Sequence, residues 1–312
     1  MAKVTPQLIR ELRERTSAGM TDCKNALIEA DCDIEKAVEI ILKQGKVKSA
    51  KRASATAAEG EIRATIAADR RSGTLIEVNI QTDFAARNDK FRAFVKELSE
   101  LAPGASDVAS LLAMKMASGQ TVADVRDELI AVIGEKIDVR RIAHAKLEAA
   151  HGSVHSYVHM NGKIGVLLVT EAETQQVAEH PAFAKYVDDT AMQIAAMAPL
   201  YLDRTSVTEQ EISKQREIFV EQLKAEKPQL PPAEALERIL DGKVAKWFAE
   251  ICLVDQNSVI ENGKSVQAVG ADASKEAGGE IKLVSFVRYQ LGDGVSAAQD
   301  DFAEEAKRLA GG

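Results

Sequence analysis

Four residues return at one spacing along this 312-residue chain. Gly60 recurs as Gly152, Phe91 as Phe183, Phe94 as Tyr186 and Val95 as Val187, each pair 92 residues apart. The patterns around the two sets follow the same order. In the first, Ile62, Ala64 and Ile66 alternate, then Ile76, Val78 and Ile80, with Ser72-Gly73 as turn chemistry between them. A helix follows from Asp89 to Leu101 and is ended by Pro103-Gly104. A polar helical region then leads to a third strand, Ile137 to Leu147. The second set has its own hairpin, HGSVHSYVHMNGKIGVLLV, and its own helix ending at Ala198-Pro199. A repeated hairpin-plus-helix unit predicts a duplicated α+β core built on antiparallel sheets.

The duplication leaves three other segments. Residues 1 to about 45 read as three short helices. Thr5 caps the first and Pro6 stands in its first turn. Thr21 or Asp22 caps the second, Asp33 caps the third, and Gly45 stops it. Leu8, Ile9 and Leu12, then Cys23, Ala26 and Leu27, then Ile34, Ala37, Val38 and Ile41 give each helix an apolar face. A unit of this size has a small core and docks on something larger. Residues 46 to 58, KVKSAKRASATAA, read as a small, basic linker. Within the second half, an S-x-x-E capping box at Ser206 and Glu209 opens a helix to about Lys227. Pro228, Pro231 and Pro232 turn the chain. Leu236, Ile239, Leu240, Val244, Trp247, Phe248 and Ile251 then mark one face of a second helix. The pair reads as an inserted antiparallel helical hairpin at about 206–251. A last strand, IKLVSFVRYQ at 281–290, ends at Gly292 and Gly294, and a helix spans Ala297 to Leu309. The division is thus 1–54, 55–146, 147–293 and 294–312.

Several chemistries are disfavoured. The net charge of −8 argues against a general nucleic-acid binder, and the basic stretch Lys46, Lys48, Lys51 and Arg52 is read as solvated. The apolar runs are far shorter than a membrane span, and the N-terminus has no signal core. Cys23, Cys32 and Cys252 are odd in number and lack C-x-x-C spacing, which points to a reducing cytoplasm. Cys23 stands at a core position. No catalytic motif is present. Gly263-Lys264-Ser265 imitates the end of a phosphate loop, but Ser258 stands where its first glycine belongs, and no helix is expected after it. His151, His155 and His159 are spaced by four, as metal ligands on a helix often are. In a strand, neighbours four apart stand about 13 Å from each other, too far to share one ion.

The segment Gln81-Thr82-Asp83-Phe84-Ala85-Ala86-Arg87-Asn88 lies between the strand ending at Ile80 and the helix starting at Asp89. It admits two readings. Thr82 or Asp83 caps a short helical turn with Phe84 folded onto the core. Alternatively, the turn presents a carboxylate and an aromatic ring together as an interface anchor.

At these residues the chain resembles a known family. LIRELRERTSAGMTDCKNAL near the N-terminus, EVNIQTDFAARND with Thr82-Asp83-Phe84, IGEKIDVRR at 133–141 and HMNGKIGVLLV at 159–169 are similar, in order, to blocks of the bacterial elongation factor Ts family. Members are guanine nucleotide exchange factors for elongation factor Tu. Residues 171 to 280 fit loosely and look longer than in typical members.

The resemblance implies a ubiquitin-associated-like three-helix domain, a duplicated core, an inserted helical hairpin and a C-terminal helical module. It implies a cytoplasmic translation factor with no catalytic site, cofactor or metal of its own and no direct nucleotide binding. Its partner would be elongation factor Tu, both GDP-bound and nucleotide-free. Thr82, Asp83, Phe84 and Ala85 would disturb the partner's Mg²⁺ site, with Phe84 as a wedge. Leu12, Gly19, Met20, His159 and Gly165 would dock on the partner. The apolar helical hairpin is compatible with a homodimer.

Overall fold

The computed structural model describes residues 3–16, 18–52, 55–226 and 231–295. The expected helix from Ala297 to Leu309 lies outside them.

Three helices open the chain: α1 (Pro6–Thr16), α2 (Met20–Glu29) and α3 (Ile34–Arg52). Thr5 Oγ1 accepts from the Leu8 N–H at 3.2 Å, and Asp33 Oδ1 from the Lys36 N–H at 3.1 Å, so both expected caps form. The cap of α2 differs. Gly19, extended at ψ 150°, takes the cap position, and the helix starts one residue before Thr21. Gly45 does not stop α3, whose backbone stays helical to Arg52. A single glycine weakens a helix by about 1 kcal/mol, which neighbouring packing overrides. Here the packing partner is the helix Val122–Ile133, along which α3 lies. The expected linker is therefore mostly helix. Leu12, Cys23, Ala26, Leu27 and Ala37 are fully buried in the core of this unit.

The first half follows as β1 (Glu59–Ile66), β2 (Ser72–Ile80), α4 (Asp83–Ala86), α5 (Asp89–Leu101), α6 (Val108–Ala113), α7 (Val122–Ile133) and β3 (Ile137–Lys146). The second is β4 (Gly152–His159), β5 (Ile164–Ala172), α8 (Gln175–Ala178), α9 (Pro181–Met197), α10 (Glu209–Glu226), α11 (Ala233–Ile251), α12 (Val266–Ala277) and β6 (Ile281–Gln290). Each half has an antiparallel sheet with the middle strand second in order, β1-β2-β3 and β4-β5-β6. Ser72 and Gly73 are not the hairpin turn. They already pair in β2, Gly73 opposite Ile66, and the chain reverses over residues 67–71, with Arg70 at φ 56°.

The duplication reaches into the backbone. Gly60 and Gly152 have φ of 133° and 132°, and a Cβ on either would strike a carbonyl oxygen, of Val78 and of Thr170, at 2.1 and 2.2 Å. The β-bulges fall at Glu77/Val78 and Val169/Thr170, again 92 apart. The Ile62 N–H donates to the Gly162 carbonyl at 2.8 Å, and the Val154 N–H to the Arg70 carbonyl at 2.7 Å. Each hairpin tip therefore hydrogen-bonds the first strand of the other half.

The two sheets face each other across Ile62, Leu75 and Leu167, while α5 and α9 cover their outer faces. One carboxylate lies in this interface. Glu77 is fully buried and accepts from Arg140 Nη1 at 2.9 Å, Arg141 Nε at 2.6 Å and the Gly292 N–H at 2.9 Å. Burial pushes its carboxyl up, but the Gly292 N–H and the two guanidiniums outweigh burial and hold it below the ordinary range. Arg141 also stacks 3.9 Å over the Tyr289 ring, so β3 and β6 are clasped together.

The inserted hairpin forms from α10 and α11. Its capping box is Thr208 with Glu211, not Ser206 with Glu209: Thr208 N–H donates to Glu211 at 2.9 Å, and Glu211 N–H to Thr208 Oγ1 at 3.3 Å. Ser206 is held in a preceding 3₁₀ turn capped by Asp203. The apolar face of α11 is covered from within, Val244 and Phe248 packing with Val207, Tyr201, Ile212 and Phe219. Ile218 and Ile239 stay exposed.

Candidate functional site

The Thr82–Ala86 segment combines both sequence readings. Thr82 caps α4, its Oγ1 accepting the Ala85 N–H at 3.2 Å. Phe84 is nevertheless not folded onto the core. At 81% exposure it is the most exposed large apolar side chain among the described residues. Ala85 is the residue of the turn that packs inward, against Ile80 and Phe91. On a four-residue helix, inward Ala85 and a tightly capped start leave Phe84 pointing out.

Asp83 lies beside the ring and pairs with Arg87 at 3.0 Å, one turn later. The turn is held from outside by Glu135, in the loop between α7 and β3. Glu135 accepts the Thr82 N–H at 2.9 Å and the Thr82 hydroxyl at 2.8 Å. The Lys136 N–H donates to Gln81 Oε1 at 2.8 Å alongside. Sequence reasoning did not single out Glu135, although it stands within the quoted block IGEKIDVRR.

The second half supplies a comparison built into the molecule. Thr174 caps α8 through the Val177 N–H at 3.3 Å, as Thr82 caps α4. Gln175 bonds Glu179 at 2.7 Å, where Asp83 pairs with Arg87. In place of Phe84 stands Gln176, an exposed polar residue. The exposed ring therefore belongs to one copy of the turn, and burial in the fold gives no reason for it. Aromatic side chains are enriched among interface anchors.

A cleft of about 490 Å³ adjoins the turn, with Asp83, Arg87 and Arg92 on one side and Met160, Asn161 and Lys163 of the β4–β5 hairpin tip on the other. Met160 is 67% exposed. His159, just before it, is exposed, and its Nδ1 lies 2.9 Å from the Tyr157 hydroxyl. The TDF turn and the His159 tip thus border one surface. α1 flanks the same half, with Arg10 and Arg13 bordering a shallow cavity beside Lys90 at the start of α5. Gly19 and Met20 are exposed at the start of α2.

Two expected docking residues are interior. Leu12 is fully buried in the three-helix core. Gly165 is buried between the sheets, where a Cβ would lie 2.5 Å from Ile62 Cγ2 and 2.8 Å from Leu75 Cδ1. The Leu12 side chain and the Cα of Gly165 are both turned to the interior.

The other candidate chemistries dissolve into local pairing. His151 meets Gln175 at 3.2 Å and His155 meets Asp188 at 3.0 Å, so with His159 at Tyr157 the three histidines part to different partners. A helix does follow Gly263-Lys264-Ser265, contrary to expectation, because Ser265 caps α12 through the Ala268 N–H at 3.2 Å. Lys264 there pairs with Asp272 at 2.7 Å and Glu261 at 3.2 Å, two carboxylates that oppose a phosphate. Among the described residues, no helix is long and apolar enough to cross a membrane.

Comparison with known proteins places these features in a lineage. Residues 81–293 match the family model described as Elongation factor TS. A protein named Elongation factor Ts from Clostridium perfringens is 38% identical over 310 residues, covering 99% of this chain and 99% of its own. Its namesake from Clostridioides difficile is 39% identical over 315 residues, covering 99% of this chain and all of its own. The one from Symbiobacterium thermophilum is 39% identical over 313 residues, covering 100% and 99%. Residues 171–280 lie inside these alignments.

Proposed function

Since this chain belongs to the elongation factor Ts family, we propose that it binds elongation factor Tu carrying GDP, disturbs the Mg²⁺ and phosphate site of that partner, and promotes GDP release so that GTP can rebind. The observation that carries the reading is the exposed Phe84 on a capped, clamped turn, with Asp83 beside it and a polar Gln176 at the matching place in the other half.

The energetic logic is linkage. A protein that prefers the nucleotide-free partner weakens GDP binding by the factor by which GDP weakens its own binding. Phe84 supplies such a preference if its ring finds a pocket only when the groups around the ion have moved. Burying a phenyl ring is worth about 1.5–3 kcal/mol, or one to two decades of coupling. Asp83 adds a carboxylate next to the ring, able to accept from partner groups displaced from the ion. The exposed start of α2 and the His159 tip widen the contact. Binding energy from these surfaces offsets the displacement of nucleotide. The chain is then an exchange factor in translation, acting without a catalytic site of its own.

The test is release of fluorescent GDP from purified elongation factor Tu at fixed Mg²⁺, with and without substoichiometric amounts of this protein. Acceleration that Phe84→Ala removes supports both function and site. Acceleration that survives Phe84→Ala keeps the function and rejects the wedge. No acceleration rejects the function.

A further inference from the structure

We propose that Glu135 is a positioning residue, whose carboxylate holds the Thr82–Ala86 turn in the arrangement that presents Phe84. The inference rests on the exchange-factor reading for what the ring does, but not for how the turn is held.

The geometry of one hydroxyl carries the first step. Thr82 Oγ1 donates to Glu135 at 2.8 Å and accepts the Ala85 N–H at 3.2 Å. A hydroxyl has one proton and two lone pairs. Committing the proton to Glu135 turns a lone pair toward Ala85, so the carboxylate sets the orientation of the cap. The second carboxylate oxygen takes the Thr82 N–H at 2.9 Å and fixes the backbone at the same residue. Both bonds end on a charged acceptor, which makes them the stronger kind.

The second step is the need for such a hold. A four-residue helix is far below the length that sustains itself in water. Ala85 is its one buried residue. An exposed ring on so short an element does not restrain the backbone beneath it. In this half the restraint comes from the cap and from Glu135 outside the turn.

The third step comes from the repeat. β6 follows β3 by 144 residues, so the Lys136–Gln81 bond has a counterpart in the Glu280 N–H donating to Glu173 at 2.9 Å. The residue matching Glu135 is then Gly279. Thr174 caps α8 with no carboxylate on it from that loop, and its turn carries Gln176 rather than a ring. The clamp and the ring occur together in one half, and the other half has neither. A purely structural need for the clamp would apply to both.

The test compares Glu135→Ala, Glu135→Gln, Glu135→Asp, Phe84→Ala and the Glu135→Ala/Phe84→Ala double variant, each first checked for an unchanged thermal melt. Two readouts are used: GDP release from elongation factor Tu, and amide hydrogen exchange of Ala85, Ala86 and Arg87 in the free protein. Glu135→Ala should slow stimulated release about five-fold and speed exchange of these amides by a similar factor. In the Phe84→Ala background it should change release no further, because its effect runs through the ring. Gln keeps one acceptor oxygen, so it can take the Thr82 N–H but only donate to the hydroxyl, and should restore part of both. Asp, one methylene short, should behave like Ala. Additive losses, unchanged amide exchange, or failure of Gln to restore release would each overturn the proposal, the last by pointing to a charge that meets the partner directly. If the unaltered protein does not accelerate release, the exchange-factor reading fails, and the amide exchange alone decides the role of Glu135.

Discussion

Gly73 and Gly165 are counterparts in the two halves, and each lets the other half's core come close. A Cβ on Gly165 would meet Ile62 at 2.5 Å and Leu75 at 2.8 Å, and one on Gly73 would meet Val154 at 3.0 Å and Leu167 at 3.2 Å, besides Ile66 of its own half at 2.6 Å. Val154 and Leu167 are Ile62 and Leu75 moved on by 92 residues. The contact is self-complementary, as in a two-fold dimer, but drawn within one chain.

Alanine at either glycine should therefore destabilise the fold. Overpacking of this kind costs about 1–3 kcal/mol. Urea unfolding of Gly73→Ala and Gly165→Ala should show midpoints lowered by similar amounts. A midpoint unchanged in either variant would mean the sheets have room that the geometry denies.

Phe84→Ala should reduce stimulated GDP release by about ten- to a hundred-fold, the range set by burying one phenyl ring. Gln176→Ala, at the matching place, should leave release unaltered. Melting should be the same in both, since neither side chain is buried. Equal effects on release would remove the distinction between the two turns.

Glu77 should make the fold sensitive to acid. Its carboxyl titrates lower in the folded chain than the ordinary 4.5. A depressed carboxylate stabilises fully above its unfolded value, and that contribution is lost as pH falls through the folded value. Glu77→Gln should thus be destabilised by about 3–5 kcal/mol at pH 7, leaving two guanidiniums without their carboxylate. The gap from the unaltered protein should narrow as pH falls below 4.5 and through the lower folded value. A gap constant from pH 7 to 3 would contradict this assignment.

His155 gives a milder dependence near neutrality. Burial, helped by Arg70, lowers its imidazole below 6.5 despite Asp188 at 3.0 Å. The folded chain binds this proton less readily than the unfolded one, so stability declines as pH falls from 6.5 through the folded value. Melting temperatures of His155→Asn measured from pH 7.5 to 5.5 should fall less than those of the unaltered protein. An equal fall would assign the slope elsewhere.

Local signals carried the elements well. Period-two and helical spacing placed both hairpins, the helix over Asp89–Leu101 and the hairpin of α10 and α11, because each depends on its own residues. Errors came where two local signals competed. Ser72-Gly73 looks like a turn, yet glycine there serves a contact with Val154 and Leu167, more than 80 residues on. Gly45 looks like a helix stop, but α7 lies along α3 and supports it. Thr208 rather than Ser206 opens α10, because Asp203 takes the nearer residues into a 3₁₀ turn. At the candidate site, the cap at Thr82 was legible and the exposure of Phe84 was one of two open readings. Glu135 was not, since its bond to Thr82 spans 53 residues and leaves no local pattern.

The clasp at Glu77 also governs when the molecule can be finished during synthesis. β1 and β2 leave the ribosome early, carrying a carboxylate meant for a dry interface, but the Gly292 N–H that completes its shell is made more than 200 residues later. Until then the first half can pair its strands and seat α5, while Glu77 lacks one of its donors. Once β4 and β5 are made, they can meet β1 and β2 through Gly162 with Ile62 and Arg70 with Val154, and α10 and α11 are then synthesised between β5 and β6. The shell of Glu77 is completed last, so a chain released before residue 292 lacks one of the three donors to a buried carboxylate, and incompletely packed chains of this kind are substrates for chaperones and proteases.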